Sequence, residues 1–296
     1  MGVAGLFERA VGRLHKYGRV FVHSAVFVER LFRAFDNRRL RTFAGARGIP
    51  LLSLREGGHQ AYTDWCFQSG VYAGLLGSLA ETPLRVLDVG CGAGEIVAGV
   101  LQALSDDSAY LGVDIDLQLI ERCRRTFGDP RARFAVISGL SPFYAVAQET
   151  RGESLAEICG ERQWDVIIVK AVFDHLSPKD AEAYLHCCAR GLAPGGLVLA
   201  TFFLLDAESQ RDHGAPLSAR FRFDDVYPGH PGFRYSAAFN PVPEAQLAIE
   251  AGRLEELLAA AELRVERVIP GTWRDPQGRR GVDMPDTLLL ARRGRP

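Results

Sequence analysis

The residues best suited to chemistry lie in one run, Val86-Leu87-Asp88-Val89-Gly90-Cys91-Gly92-Ala93-Gly94-Glu95-Ile96, a strand-like segment entering a glycine loop and then a helix. Glycines let a ligand approach the backbone, and a helix start offers free N–H groups. The dinucleotide fingerprint G-x-G-x-x-G is broken because Glu95 stands at its last position, and no G-K-[ST] phosphate loop follows. A carboxylate there would repel a pyrophosphate, whereas it suits a cationic cofactor. Asp114 comes 24 residues after Gly90, at the end of Tyr110 to Asp114. At that place a carboxylate can accept both ribose hydroxyls of an adenosine, while Asp116 suits the N-cap of the next helix. His175, preceded by Asp174, follows the fourth apolar run, and a histidine titrates where a base for an acceptor hydroxyl is needed. No His/Asp/Glu pair has a metal-ligand spacing, so no metal is expected.

These groups need a scaffold, and the chain from Leu84 supplies alternating elements. Residues 85–90, 110–114, 133–137, 164–169 and 197–203 are strand-like, rich in β-branched and aromatic side chains. Helical stretches are expected at 93–104, 116–126, 144–160 and 179–191. Such alternation implies βαβ units in a parallel, doubly wound sheet. The tail adds a helix at 253–261 and apolar runs at 264–269 and 287–291; residues 204–250, rich in Pro, Gly and aromatics, suggest an insertion lying over the sheet. Upstream, apolar residues of 21–35 recur at three- and four-residue steps with arginines along another side, an amphipathic helix, and Tyr62 to Tyr72 suggests a further short helix.

The glycine run resembles the first motif of class I S-adenosylmethionine-dependent methyltransferases, D-x-G-x-G-x-G, matched by Asp88, Gly90, Gly92 and Gly94. The resemblance extends through Gly112-Val113-Asp114, through Trp164 to Leu176, and through the turn Gly191-Leu192-Ala193-Pro194-Gly195-Gly196, covering about 84–203. It implies a Rossmann-like, mostly parallel sheet of the seven-stranded methyltransferase type, an N-terminal helical extension or lid over 1–82, and an S-adenosylmethionine-binding domain over 83–296 with its acceptor-side insertion after the fifth strand. By this resemblance Asp88, Gly90, Cys91, Gly92, Gly94, Asp114, Ile115, Ser138, Gly139 and Lys170 bind the cofactor. Asp114 clamps the ribose and Ile115 packs beside the adenine. The acidic residue common after the third strand is absent; the chain reads Ile137-Ser138-Gly139, so Ser138 or a backbone carbonyl must serve the adenine amine. His175 is the candidate general base, with Asp174 orienting it or contacting the acceptor. Tyr62, Trp65, His213 and His230 are candidates for the acceptor pocket. The segments 200–206, 243–250 and 270–273 are similar to a bacterial subgroup associated with glycan or secondary-metabolite clusters.

Composition bounds the partners. The chain has 296 residues, 47% hydrophobic and 24% charged, with a formal charge of −1. Its six cysteines, unevenly spaced, make neither a disulfide framework nor a zinc pattern, as expected of a cytoplasmic protein. Residues 1–55 carry eleven Lys/Arg against three Asp/Glu, so the remainder holds −9. A nucleic-acid partner is disfavoured because the positive charge is confined to one helical region away from the acidic catalytic part. A lid, a homodimer contact in place of a monomer, or a peripheral membrane contact are the options for that basic arm. The expected activity is O-methylation of a small molecule or glycan. The alternatives are N-methylation of a small amine and a non-catalytic, membrane-docking protein that keeps the fold.

Overall fold

A computed structural model describes residues 48–50, 62–79, 83–138, 152–209, 219–274 and 281–294. The amphipathic 21–35 segment, Gly139 and His213 lie outside them. The elements, in order, are α1 (Tyr62–Gly77), β1 (Arg85–Val89), α2 (Val97–Ala103), β2 (Ala109–Asp114), α3 (Leu117–Thr126), β3 (Ala132–Val136), α4 (Leu155–Glu161), β4 (Trp164–Val169), α5 (Pro178–Gly191) and β5 (Leu192–Leu205). Then follow β6 (Asp225–Val226), β7 (Phe233–Tyr235), β8 (Ala248–Glu250), α6 (Ala251–Ala260), β9 (Leu263–Ile269) and β10 (Asp286–Arg292).

The strands form one sheet in which β3-β2-β1-β4-β5 run parallel, and β10 and β9 continue it antiparallel along β5. This is the doubly wound, mostly parallel arrangement expected from the alternation. Its central strands are buried on both faces, which is why they read as unbroken apolar runs. Ile167 and Ile168 on β4 are wholly buried, yet they face opposite cores. Full burial of such a side chain contributes roughly 1.5–3 kcal/mol. On one face Leu87, Val89 and Ile167 pack against α5 and α6; on the other Val86, Ile168 and Tyr110 pack against α1 and α2.

The insertion departs from expectation. Residues 204–250 do not simply lie over the sheet: β8 pairs in parallel with Phe203 to Leu205, and β7 and β6 add antiparallel beyond it. They extend the sheet from the far end of an unusually long β5. Each strand is only two or three residues long, too short for an alternation to show. The segments 200–206 and 270–273 meet around one buried carboxylate. Asp286 accepts the backbone N–H groups of Leu204 and Gly271, the Trp273 indole N–H and the Arg274 guanidinium.

Candidate active site

Between β1 and β4 the strand order reverses, and ligands of doubly wound sheets bind beside the carboxyl ends of strands at such a point. Gly90 and Cys91 donate their N–H groups to the Val113 carbonyl, fastening the glycine loop to the end of β2. All three glycines have positive φ, but for different surroundings. A Cβ on Gly90 would stand 2.4 Å from Val172 Cγ2, and one on Gly94 would stand 2.5 Å from Phe127. Those two permit close packing. On Gly92 the nearest atom would be a backbone oxygen 4.0 Å away, so its side is open to a ligand.

Asp114 lies against that open glycine. Its Oδ2 accepts the Gly92 N–H at 2.8 Å and its Oδ1 accepts the Asp116 N–H at 2.9 Å. Burial pushes its pKa up, and these backbone bonds oppose that shift. Each oxygen keeps a lone pair beyond the bond it already accepts. Asp116 caps α3 as expected, accepting from Gln118 and Leu119. Ile115 packs at the edge of the core beside β2. Ser138 is exposed, with its backbone N–H on the Glu153 carbonyl. Cys91 is buried and fits the space left by Gly112, where a Cβ would come within 3.0 Å of its sulfur.

Three acidic or basic groups near the glycine loop have partners within the protein. Asp88 is 1% exposed and its Oδ2 accepts the Tyr110 hydroxyl at 2.5 Å. Burial pushes its pKa up to about 7, against the pull of that hydrogen bond and of Lys170. Lys170 donates to Glu95 Oε2 at 2.7 Å and lies 3.4 Å from Asp283 Oδ2. Burial alone would lower the Lys170 pKa, but Asp283 and Glu95 outweigh it and hold it high. Lys170 therefore ties the end of the glycine loop to the turn before β10, and Glu95 is neutralised within the protein. Asp114 is the carboxylate that lies against the open face of Gly92.

Across the crevice, the loop after β4 is pinned by Val172 on Gly90 and by the Ala171 N–H on Thr201 Oγ1 at 2.7 Å. It leads into the short turn Phe173–His175. His175 Nδ1 lies 3.0 Å from the Glu244 main-chain oxygen, so this nitrogen carries the proton and donates. Nε2 lies 3.4 Å from Asp174 Oδ2. The His175 side chain is 16% exposed and that of Asp174 7%, which puts the imidazole nearer solvent. The insertion supplies residues with no motif to announce them: Glu244 accepts the Tyr227 hydroxyl, Leu247 N–H bonds the Asp174 carbonyl, and Arg220 Nε bonds Gln246 Oε1.

Of the residues expected at the acceptor pocket, Trp65 packs against Ala93 of the glycine loop and Leu119 of α3. Tyr62 begins α1, with its side chain outside the described residues. His230 is exposed, its ring edge-on to Tyr227 at 5.6 Å. Among the described residues no cluster of His, Cys, Asp or Glu could hold a metal, and no helix is long and apolar enough to cross a membrane.

Fold and crevice define a doubly wound domain with an open glycine loop and a carboxylate beside it. Residues 87–198 match the family described as a methyltransferase domain. A ubiquinone biosynthesis O-methyltransferase of Cereibacter sphaeroides is 36% identical over 119 residues, 40% of each chain. A tRNA N(3)-methylcytidine methyltransferase of Drosophila melanogaster is 28% identical over 144 residues, 48% of this chain and 38% of that one. The chain thus spans about two fifths of the length of these curated relatives. Among solved structures, the magnesium protoporphyrin IX methyltransferase of Synechocystis, with bound S-adenosylhomocysteine, aligns over 91% of this chain and 100% of its own at 15% identity and a TM-score of 0.49. Residues 87–198 therefore carry a methyltransferase domain of the S-adenosylmethionine-dependent kind.

Proposed function

We propose that this protein transfers a methyl group from S-adenosylmethionine to a hydroxyl of a small molecule. The observation that carries the reading is the pairing of two groups at one crevice: Asp114 beside the open face of Gly92, and the Asp174–His175 pair across from it, joined to the loop by Val172. Bound S-adenosylmethionine supplies an electrophilic methyl on a sulfonium. Asp114 would take the ribose hydroxyls with its remaining lone pairs, and Gly92 would let the cofactor lie against the backbone. Much of the rate enhancement comes from holding the reactants in line, where effective molarities reach about 10⁵ M or more.

The acceptor hydroxyl must lose its proton as the new bond forms. His175 is placed to take it at Nε2. The imidazolium then directs one N–H at the Glu244 carbonyl and the other toward Asp174, so both N–H groups of the one cation formed have an acceptor. The 36% identical stretch of an O-methyltransferase supports hydroxyl as acceptor. Methylation of an amine is the second reading, favoured by the N-methylating relative, and it needs the amine delivered neutral with no strong base.

A screen for methyl transfer over pooled sugars, phenols and amines, read by mass spectrometry, tests both. Products one methylene heavier are expected from hydroxyl compounds. His175→Ala should lower turnover about 10²–10⁴-fold with S-adenosylhomocysteine affinity unchanged. Products from amines alone, or near-normal rates in the variant, would reject the hydroxyl reading or the base.

A further inference from the structure

A neutral imidazole has one proton for two nitrogens, and His175 has an oxygen beside each. The Glu244 main-chain oxygen lies 3.0 Å from Nδ1, and Asp174 Oδ2 lies 3.4 Å from Nε2. Whichever oxygen holds the proton decides where the lone pair goes, and only the nearer one leaves it on Nε2. If the Glu244 carbonyl were drawn back, Asp174 would take the proton to its own side. The ring would then be a donor at the nitrogen where a base is needed. The placing of that carbonyl is therefore a chemical matter.

The carbonyl belongs to the short turn Pro243–Ala245, whose own bonds are the Ala245 N–H on Val242 and the Gln246 N–H on Pro243. The side chain of the same residue anchors it. Glu244 is 6% exposed, and its Oε1 accepts the Tyr227 hydroxyl at 2.5 Å. A carboxylate so far from water needs such a donor. Burial and the Glu244 carboxylate push the Tyr227 phenol up to about 12, so the hydroxyl keeps its proton and donates. Tyr227 is fixed in turn. Its N–H bonds the Phe233 carbonyl of β7 at 2.9 Å, its carbonyl accepts the His230 N–H at 3.1 Å, and its side chain packs on the core that holds Leu185 of α5 and Leu254 of α6. A second bond grips the other member of the pair, the Leu247 N–H on the Asp174 carbonyl at 2.8 Å.

We propose that Tyr227 is a positioning residue for the base: through the Glu244 side chain it seats the Glu244 carbonyl on Nδ1 of His175, which fixes the Nδ1–H tautomer and leaves the lone pair on Nε2. Tyr227 does this without touching either reactant. The inference rests on the reading of His175 as the base and adds the residues that prepare it. A bond that merely tied two turns together would cost stability when broken and leave the tautomer as it was.

The test is nitrogen NMR of the imidazole rings in the labelled full-length protein at about pH 8.5, where an ordinary histidine is neutral. The His175 signals are those lost in His175→Ala. In the parent protein Nδ1 should carry the proton and Nε2 should not. Tyr227→Phe, which deletes only the hydroxyl, should shift both nitrogens as the Nδ1–H form loses its majority. Glu244→Ala should do the same without leaving a buried carboxylate unpaired, and it serves if the phenylalanine variant fails to fold. Glu244→Gln keeps an oxygen for the hydroxyl and should retain the parent pattern. A proton on Nε2 in the parent, an unchanged pattern in Tyr227→Phe or Glu244→Ala, or a loss in Glu244→Gln as large as in Glu244→Ala would overturn the inference. Binding of S-adenosylhomocysteine is titrated separately: its failure would strike the methyltransferase reading, while the tautomer still decides the role of Tyr227.

Discussion

The two sides of the crevice hold their charged groups by different means. On the glycine-loop side, where the cofactor is proposed to bind, Asp88 has Tyr110, Lys170 has Glu95 and Asp283, and Asp114 has two backbone N–H groups. On the side built by the insertion Arg220 is held by a glutamine and two rings with Asp174 as its electrostatic partner, and the His175 ring by a main-chain carbonyl. Buried polar atoms without a hydrogen-bond partner occur on both sides, the Tyr72 hydroxyl and Gln68 Oε1 on the first, Asp174 Oδ1 and Gln246 Nε2 on the second, each at a cost of about 1–3 kcal/mol. The first side is distinguished by charges paired between distant segments of the chain, a frame that fastens the glycine loop.

If the cofactor side is a frame, breaking it should harm stability before affinity. Lys170→Met leaves Glu95 and Asp283 facing each other without their common cation, and removing one partner from a buried ion pair costs roughly 3–5 kcal/mol. Chemical denaturation should show a loss on that scale. A variant as stable as the parent would mean that Lys170 is free for a ligand and that the contrast between the two sides is false.

Asp88 sharpens the same contrast with a smaller effect. Its folded pKa of about 7 lies above the value near 3.9 of an unfolded aspartate, so between those pH values the folded state holds more protons. Its contribution to stability is full below the unfolded pKa, falls as pH rises through this window, and levels off above it. Asp88→Asn keeps an acceptor for Tyr110 and removes the titration. Relative to the parent it should gain about 1 kcal/mol or more at pH 8, roughly 2–4 °C in Tm, and gain little at pH 4. A gain independent of pH would show that the Asp88 carboxyl does not titrate in this window.

The contrast also explains what could be read from sequence. Strands β1, β4 and β5 are legible because strands buried on both faces are written as continuous apolar runs, and the glycine loop because its spacing is local. Asp116 as a cap was legible for the same reason. The partners that saturate the frame were not, since Tyr110 lies 22 residues from Asp88, and Glu95 lies 75 from Lys170. Nothing local distinguishes a carboxylate facing a cofactor from one facing a distant lysine. On the acceptor side Gln246, Glu244, Tyr227 and Arg220 were missed because β6 to β8 are too short to carry a pattern, and their function depends on which chain segments the sheet extension brings beside Asp174. His175 was visible only because it follows β4 at the reversal of strand order.

The central claim is that Asp114 and the open face of Gly92 form the seat of the cofactor. Isothermal titration of the protein with S-adenosylhomocysteine measures it directly. Saturable binding is predicted, weakened about tenfold or more in Asp114→Ala because two hydrogen bonds to a charged group are lost. No heat and no thermal shift with the parent protein, or equal affinity in the variant, would contradict it.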